Sequence, residues 1–122
     1  MPKIIIIGSE NFTDYDYLES KLNELFSSWS RKRKITILLM ARNSVNDLVE
    51  KYRKDHPIFK ETETHFSSSD LRTFRTMVKS ATHCIMFQTD SLDGLQEMFY
   101  VANTKRGIKI IEFNPNTECK TL

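Results

Sequence analysis

Residues 3–9 of this 122-residue chain read KIIIIGS, and this stretch is the clearest indication of its fold. Four consecutive isoleucines leave no polar face, which is typical of a strand covered on both sides in a parallel sheet. The glycine and serine that follow are typical of a turn into the next element. Because parallel strands need crossover connections, we expect a helix between this strand and the next.

The rest of the chain repeats this alternation. Further apolar runs predict strands at residues 35–40, 84–87 and 108–113, and the weak alternation of residues 57–64 predicts a short edge strand. Between these runs, apolar residues recur at helical spacing and predict four helices with one buried stripe each. Short polar side chains cap the free N–H groups of a helix start, which predicts these caps: Thr13 or Asp14, Ser44 with Asp47, Ser67 or Ser69, and Asp93 with Gln96.

This order of elements predicts an α/β fold. We expect a single-domain three-layer Rossmann-like sandwich of about five parallel strands, with helices on both faces. Residues 1–114 form the predicted domain and residues 115–122 a C-terminal tail. Such sheets bind ligands where the strand order reverses, so the order 3-2-1-4-5 places a site at the carboxyl ends of strands one and four.

Composition and charge exclude several classes of function. The chain has 39% apolar and 28% charged residues, with 18 Lys and Arg against 16 Asp and Glu. The resulting net charge of +2, spread evenly, predicts neither a nucleic-acid nor a membrane partner. The longest apolar run, residues 4–7, is too short to span a bilayer. We expect no signal peptide, and a cytoplasmic protein with reduced thiols.

The cysteines and histidines show no spacing of a metal or redox site. Cys84 lies inside a predicted strand, which favours an inert core residue over a nucleophile, and Cys119 lies in the predicted tail. The three histidines are scattered. We therefore expect no metal and no cofactor.

Two loops at the predicted ligand edge carry small polar residues. Gly8 and Ser9 predict either a phosphate or ribose contact or merely a tight turn, and the residues leave these alternatives open. Residues 88–94, which include Ser91 and Gly94, lead into a helix start that could bind an anion. Helix capping is the favoured role of this second loop, because its acidic residues repel phosphate.

Several charged residues are further candidates. Arg42 and Asp47 follow the second strand, and Arg75 lies on the third helix, where a guanidinium could bind a phosphate or carboxylate. Glu10 and Asp14 could form a carboxylate pair for acid–base catalysis, although two surface acids are the favoured interpretation.

Residues 3–15 resemble the opening of small SLOG-superfamily proteins of the YspA-like group, related to the DprA and lysine-decarboxylase-like (LOG) proteins. That opening runs from a strand through Gly-Ser-Arg to a Phe and an Asp-Tyr pair before a helix. Residues 75–78 are similar to the family's Arg-Asn-x-Met-Val helix, and residues 81–87 to its Ala-Asp-x-x-Ile-x-Phe strand. Residues 93–95 lie where a Ser-x-Gly-Thr turn is usual, and the resemblance covers residues 3–113.

The resemblance implies a Rossmann-like domain that binds nucleotides or nucleotide-derived ligands, as a sensor or effector module in some members. It also implies residue roles: Gly8 and Ser9 match the first ligand loop, Arg75 the helix arginine, and Gly94 the last loop glycine. Glu10 stands where the family has an arginine.

The loop after strand two, residues 39–47, keeps Arg42 and Asp47 of the family pattern but has no glycine. The Pro-Gly-Gly-x-Gly-Thr motif of the LOG hydrolases is absent. The sequence therefore favours a non-catalytic binding or sensing module for a nucleotide or nucleotide-derived small molecule. Two alternatives stay open: a degenerate relative that acts through protein–protein interaction, and a nucleoside-phosphate or N-glycosidic hydrolase. The resemblance also implies a homo-oligomer, because family members commonly self-associate.

Overall fold

A computed structural model describes residues 3–9, 12–27, 29, 34–56, 60–65, 70–88 and 95–115 of the chain. Strands and helices alternate along this sequence. The elements in chain order are β1 (Lys3–Gly8), α1 (Tyr15–Ser27), β2 (Lys34–Leu39), α2 (Asn46–Asp55), β3 (Lys60–His65), α3 (Leu71–Ser80), β4 (His83–Phe87), α4 (Gln96–Asn103) and β5 (Lys109–Phe113). The predicted α/β class is confirmed.

The strands pair in parallel, in the order β3-β2-β1-β4-β5. Strand β1 lies at the centre, where Ile4 is in register with Ile37 of β2 and with His83 of β4. Strands β3 and β5 form the two edges of the sheet. The parallel pairing that the isoleucine run predicts is confirmed, and the order is the one that places a site between β1 and β4.

Strand β1 contributes alternate side chains to two separate apolar clusters. Ile4 and Ile6 are buried with residues of α1 and α2, including Leu22. Ile5 and Ile7 are buried with residues of α3 and α4. All four isoleucines are fully buried, and each such side chain contributes about 1.5–3 kcal/mol to folding. This two-sided burial explains why residues 4–7 of β1 are all apolar.

The helix starts agree only in part with the predicted caps. Asp14 caps α1, since its Oδ1 accepts a hydrogen bond from the Tyr17 N–H at 3.1 Å. Helix α3 is capped by Asp70, whose Oδ1 accepts from the Thr73 N–H at 2.8 Å. The prediction of a serine cap was wrong here, because a carboxylate adjacent to the helix accepts this bond; Ser67 and Ser69 lie outside the described residues.

The predicted capping box at the second helix is also wrong. Helix α2 begins at Asn46, and its N-cap residue, Val45, makes no side-chain cap hydrogen bond. The hydroxyl of Ser44 instead donates to the Ser9 carbonyl at 2.7 Å, so it joins this loop to the end of β1. The cap position of α4 is occupied by Leu95, again without a side-chain bond, while Asp93 lies outside the described residues.

The end of α4 is fixed by a glycine and a lysine. Gly107 has a φ of +86°, in the left-handed region that glycine adopts readily. Lys105 Nζ donates to the carbonyls of Lys79 and Ala81 at 3.1 and 2.6 Å, which joins the ends of α4 and α3. Within the described ranges, no helix is long and apolar enough to cross a membrane.

Candidate functional site

The carboxyl ends of β1 and β4 meet at the point where the strand order reverses. Gly8 is in register with Phe87, and the Ser9 N–H donates to the Phe87 carbonyl at 2.8 Å. Helix α1, which follows β1, packs against one face of the sheet, whereas α4, which follows β4, packs against the other. The two connections diverge here and leave the crevice in which parallel sheets commonly bind ligands.

Two buried polar residues lie at this crevice. Ser9 follows β1 and Gln88 follows β4, and each is only 4% exposed. Among the residues that the structure describes, they are the only polar ones that are buried. The Gln88 carboxamide donates from Nε2 to Glu112 Oε1 at 3.4 Å, a long hydrogen bond. The crevice thus combines a hydroxyl, a carboxamide and a carboxylate at the edge of an otherwise apolar core.

The space beside Gly8 is filled by the chain itself. A Cβ atom at Gly8 would overlap Val45 Cγ1 and would lie 3.1 Å from Ser44 Oγ. Glycine is therefore required at this position because the loop between β2 and α2 packs directly against the backbone. This contact gives Gly8 a structural role, which agrees better with the tight turn than with the ligand contact that the sequence left open beside it.

The backbone groups of Gly8 and Ser9 are also used internally. Asn43 Oδ1 accepts from the Gly8 N–H at 2.9 Å, and Asn43 Nδ2 donates to the Gly8 carbonyl at 3.3 Å. The Ser9 N–H is bonded to β4, and the Ser9 carbonyl accepts from Ser44 and from the Phe12 N–H. These two N–H groups are therefore not available to a phosphate.

Sequence reasoning missed Asn43 and Ser44. Both lie in the loop that lacks the glycines of the resembling family, and their side chains bond the backbone of β1 and the turn after it. Arg42 has a φ of +59°, so this loop adopts a left-handed residue without glycine. The Arg42 side chain is exposed, and so is Asp47 in the first turn of α2. The sequence signal for these two residues was a short polar side chain in a loop where the family pattern has glycines.

Arg75 is exposed on α3 and lines a groove of about 600 Å³ between α3 and α4, with Val78, Lys79, Tyr100, Val101, Thr104 and Lys105. None of these described neighbours is a predicted site residue. Gly8 and Ser9, which the sequence predicts to share a ligand with Arg75, are not among them, so the ligand role of Arg75 stays a prediction.

The remaining predicted residues divide into two groups. Asp14 is exposed and caps α1, which accounts for its carboxylate without a catalytic role. Glu10, Ser91 and Gly94 lie outside the described residues, so the proposed pair of Glu10 with Asp14 does too.

The described residues hold no group of three His, Cys, Asp or Glu side chains that could bind a metal ion. Cys84 is fully buried, and burial raises the pKa of its thiol to about 12. Because the thiolate is the nucleophilic form, this cysteine is inert at neutral pH, as its position in a strand predicts.

Comparisons with family models, with curated proteins and with solved structures found no match to this chain. The resemblance to the SLOG superfamily therefore stays a prediction that rests on the residues quoted for it. The functional proposals below therefore rest on the geometry of the crevice and of the groove between α3 and α4.

Proposed function

We propose that this chain is a three-layer Rossmann-like sandwich of the SLOG type that acts as a non-catalytic binding or sensing module. Its ligand is a nucleotide or a nucleotide-derived small molecule, bound between the carboxyl ends of β1 and β4. The observation that carries the proposal is the burial of Ser9 and Gln88, the two buried polar residues of the described chain, at the point where the strand order reverses.

The chemistry of the crevice favours the nucleoside part of such a ligand. The Gly8 and Ser9 N–H groups are occupied, and the Glu112 carboxylate lies 3.4 Å from the Gln88 amide nitrogen. A carboxylate repels a phosphate but accepts hydrogen bonds from ribose hydroxyls. A carboxamide can both donate and accept, as base edges require. We therefore propose that ribose or base contacts Gln88 and that any phosphate lies away from Glu112.

Native mass spectrometry and thermal unfolding with a library of nucleosides, nucleotides and cyclic nucleotides test this function. A ligand at 100 times its Kd adds about 2.7 kcal/mol to the free energy of unfolding. We expect an adduct and a stabilisation with at least one compound. Ser9→Ala and Gln88→Leu should abolish both. Ser80→Ala, on the exposed surface of α3, is the matched control and should retain them. A bare protein across the whole library contradicts the proposal.

A degenerate relative that binds another protein is the second candidate. It is favoured by Tyr100, which is 63% exposed and the only large hydrophobic residue that is exposed in the described chain. The internal use of the Gly8 and Ser9 N–H groups also supports it, because a phosphate cradle is lost. Of the two carboxylates suggested for the hydrolase alternative, Asp14 serves as a helix cap, and Glu10 lies outside the described residues.

We further propose a cytoplasmic protein that forms a homo-oligomer. Cys84 has the buried, protonated thiol of a core residue, which a reducing compartment tolerates well. Light scattering on the purified chain measures the oligomeric state directly. A single species with the mass of one chain at all concentrations contradicts the oligomer.

A further inference from the structure

The groove between α3 and α4 is open to solvent, and its described lining residues are different from Ser9 and Gln88 of the crevice. We call its seven described lining residues the α3–α4 groove: Arg75, Val78, Lys79, Tyr100, Val101, Thr104 and Lys105. These residues span 75–79 and 100–105, which corresponds to about 6–8 Å along each helix. The described groove therefore matches about one to two turns of a further helix.

The floor of the groove is apolar. Val78 is 4% exposed and belongs to the core, and Val101 is half-buried beside it. Tyr100 adds an aromatic ring that is largely in contact with solvent. An exposed tyrosine next to aliphatic side chains is typical of a protein interface, where its ring is buried and its hydroxyl stays hydrogen-bonded.

The rim of the groove is cationic. Arg75 and Lys79 are four residues apart on α3 and therefore project from the same side of the helix. Neither side chain forms a salt bridge within the part of the chain that the structure describes. Lys105 donates two hydrogen bonds to the end of α3, and its positive charge adds to the charges of Arg75 and Lys79. Among the residues that the structure describes, no acidic side chain lines the groove, so the described lining is cationic.

We propose that the α3–α4 groove binds an acidic amphipathic helix of a partner protein. Aliphatic side chains of that helix contact Val78, Val101 and the Tyr100 ring, and Asp or Glu residues pair with Arg75 and Lys79. An amphipathic helix in an apolar groove is a common mode of recognition, and complementary charge fixes its orientation. A nucleic acid fits less well, because Tyr100 is the only ring for base stacking among the described lining residues, and valine methyl groups offer neither stacking nor hydrogen bonds to bases.

Selection from a display library of amphipathic helices on the full chain tests the proposal. The library presents the same apolar stripe with acidic, basic or neutral polar faces. We expect enrichment of helices whose Asp or Glu residues flank the apolar stripe. Enrichment of basic or neutral faces, or no enrichment, overturns the proposal.

The enriched peptide, labelled with fluorescein, then gives affinities by fluorescence anisotropy. Tyr100→Ala and the double variant Arg75→Glu with Lys79→Glu should each weaken binding at least about tenfold. Lys54→Glu, at an exposed residue of α2, which packs on the other face of the sheet, is the control and should stay within about twofold. A peptide with lysines in place of its acidic residues should bind the double variant again. An equal loss in Lys54→Glu, or no loss in the groove variants, overturns the proposal.

Two further measurements exclude other occupants. Displacement of the peptide by a single-stranded oligonucleotide that itself requires Arg75 and Lys79 would assign the groove to nucleic acid. Loss of a dimer in Tyr100→Ala, measured by light scattering, would assign it to a second copy of this chain. Either result overturns the proposal that the groove binds an acidic helix. Circular dichroism of each variant confirms folding, which we expect because the substituted side chains are exposed.

Discussion

The carboxamide of Asn43 hydrogen-bonds both backbone groups of Gly8. Its Oδ1 accepts from the Gly8 N–H at 2.9 Å, and its Nδ2 donates to the Gly8 carbonyl at 3.3 Å. The same Oδ1 accepts from the Val45 N–H at 3.2 Å. One side chain thus joins the loop after β2 to the end of β1, across 35 residues of sequence.

Asn43→Ala should destabilise the protein, because it leaves a part-buried N–H group of Gly8 without its partner. The expected loss in the free energy of unfolding is about 1–3 kcal/mol, measured by urea denaturation. Asn43→Asp keeps an acceptor for the two N–H groups and loses only the donor, so its loss should be smaller. Equal losses in the two variants would show that the acceptor is unimportant.

Gly8→Ala should destabilise by overpacking, since the new methyl group overlaps Val45 Cγ1. Overpacking of this kind costs about 1–3 kcal/mol. Val45→Ala removes the overlapping methyl groups, and the double variant should therefore lose less than the sum of the two single losses. Strict additivity in this double-mutant cycle, measured by chemical denaturation, would contradict the contact.

Cys84 should resist alkylation in the folded protein. Burial raises the pKa of its thiol to about 12, so the thiolate is scarce at neutral pH. The variant Cys119→Ser leaves Cys84 as the sole thiol, since the chain has two cysteines. We expect its reaction with a chromogenic disulfide at pH 7.5 to be at least about a hundredfold slower in buffer than in denaturing urea. Comparable rates would mean that the thiol is accessible in the folded state.

Tyr15 should make the stability of the protein fall at alkaline pH. Burial and the hydrogen bond from its hydroxyl to Asp55 Oδ2, 2.7 Å long, raise the pKa of this phenol above its usual value. A raised pKa contributes stability below the unfolded-state pKa of about 10, which is lost as the pH rises further. Tyr15→Phe should therefore flatten the dependence of stability on pH above about 10. Tyr100→Phe, at an exposed tyrosine, is the control and should leave the slope unchanged; an unchanged slope in Tyr15→Phe contradicts the coupling.

The sequence predicts the alternation of strands and helices well, because periodicity depends on local burial. Residues 4–7 are four consecutive isoleucines, so side chains on both faces of β1 have to be buried by packed helices. The same patterns predict α1 and its cap at Asp14. These features depend on neighbours within one turn or one strand.

The site was less predictable, because its contacts join residues far apart in sequence. Ser44 has the spacing of a helix cap, yet its hydroxyl bonds Ser9, 35 residues away. Gly8 suggests room for a ligand, yet Val45 fills that room. The resemblance groups Arg75 with the crevice, whereas the packing of α3 on α4 makes it a lining residue of the groove between these helices. A pattern of residue types along the sequence does not show which distant residues pack against each other.

The two edges of the sheet are chemically unequal, and this difference limits how copies of the chain can associate. Strand β3 has the sequence KETETH, in which every residue is polar or charged, and such edges resist the addition of another strand. Strand β5 has the sequence KIIEF and offers a more apolar edge. Repeated edge-to-edge growth into a filament needs two receptive edges. If two copies paired through β5, only the charged edges would face outward, and the assembly would close at a dimer.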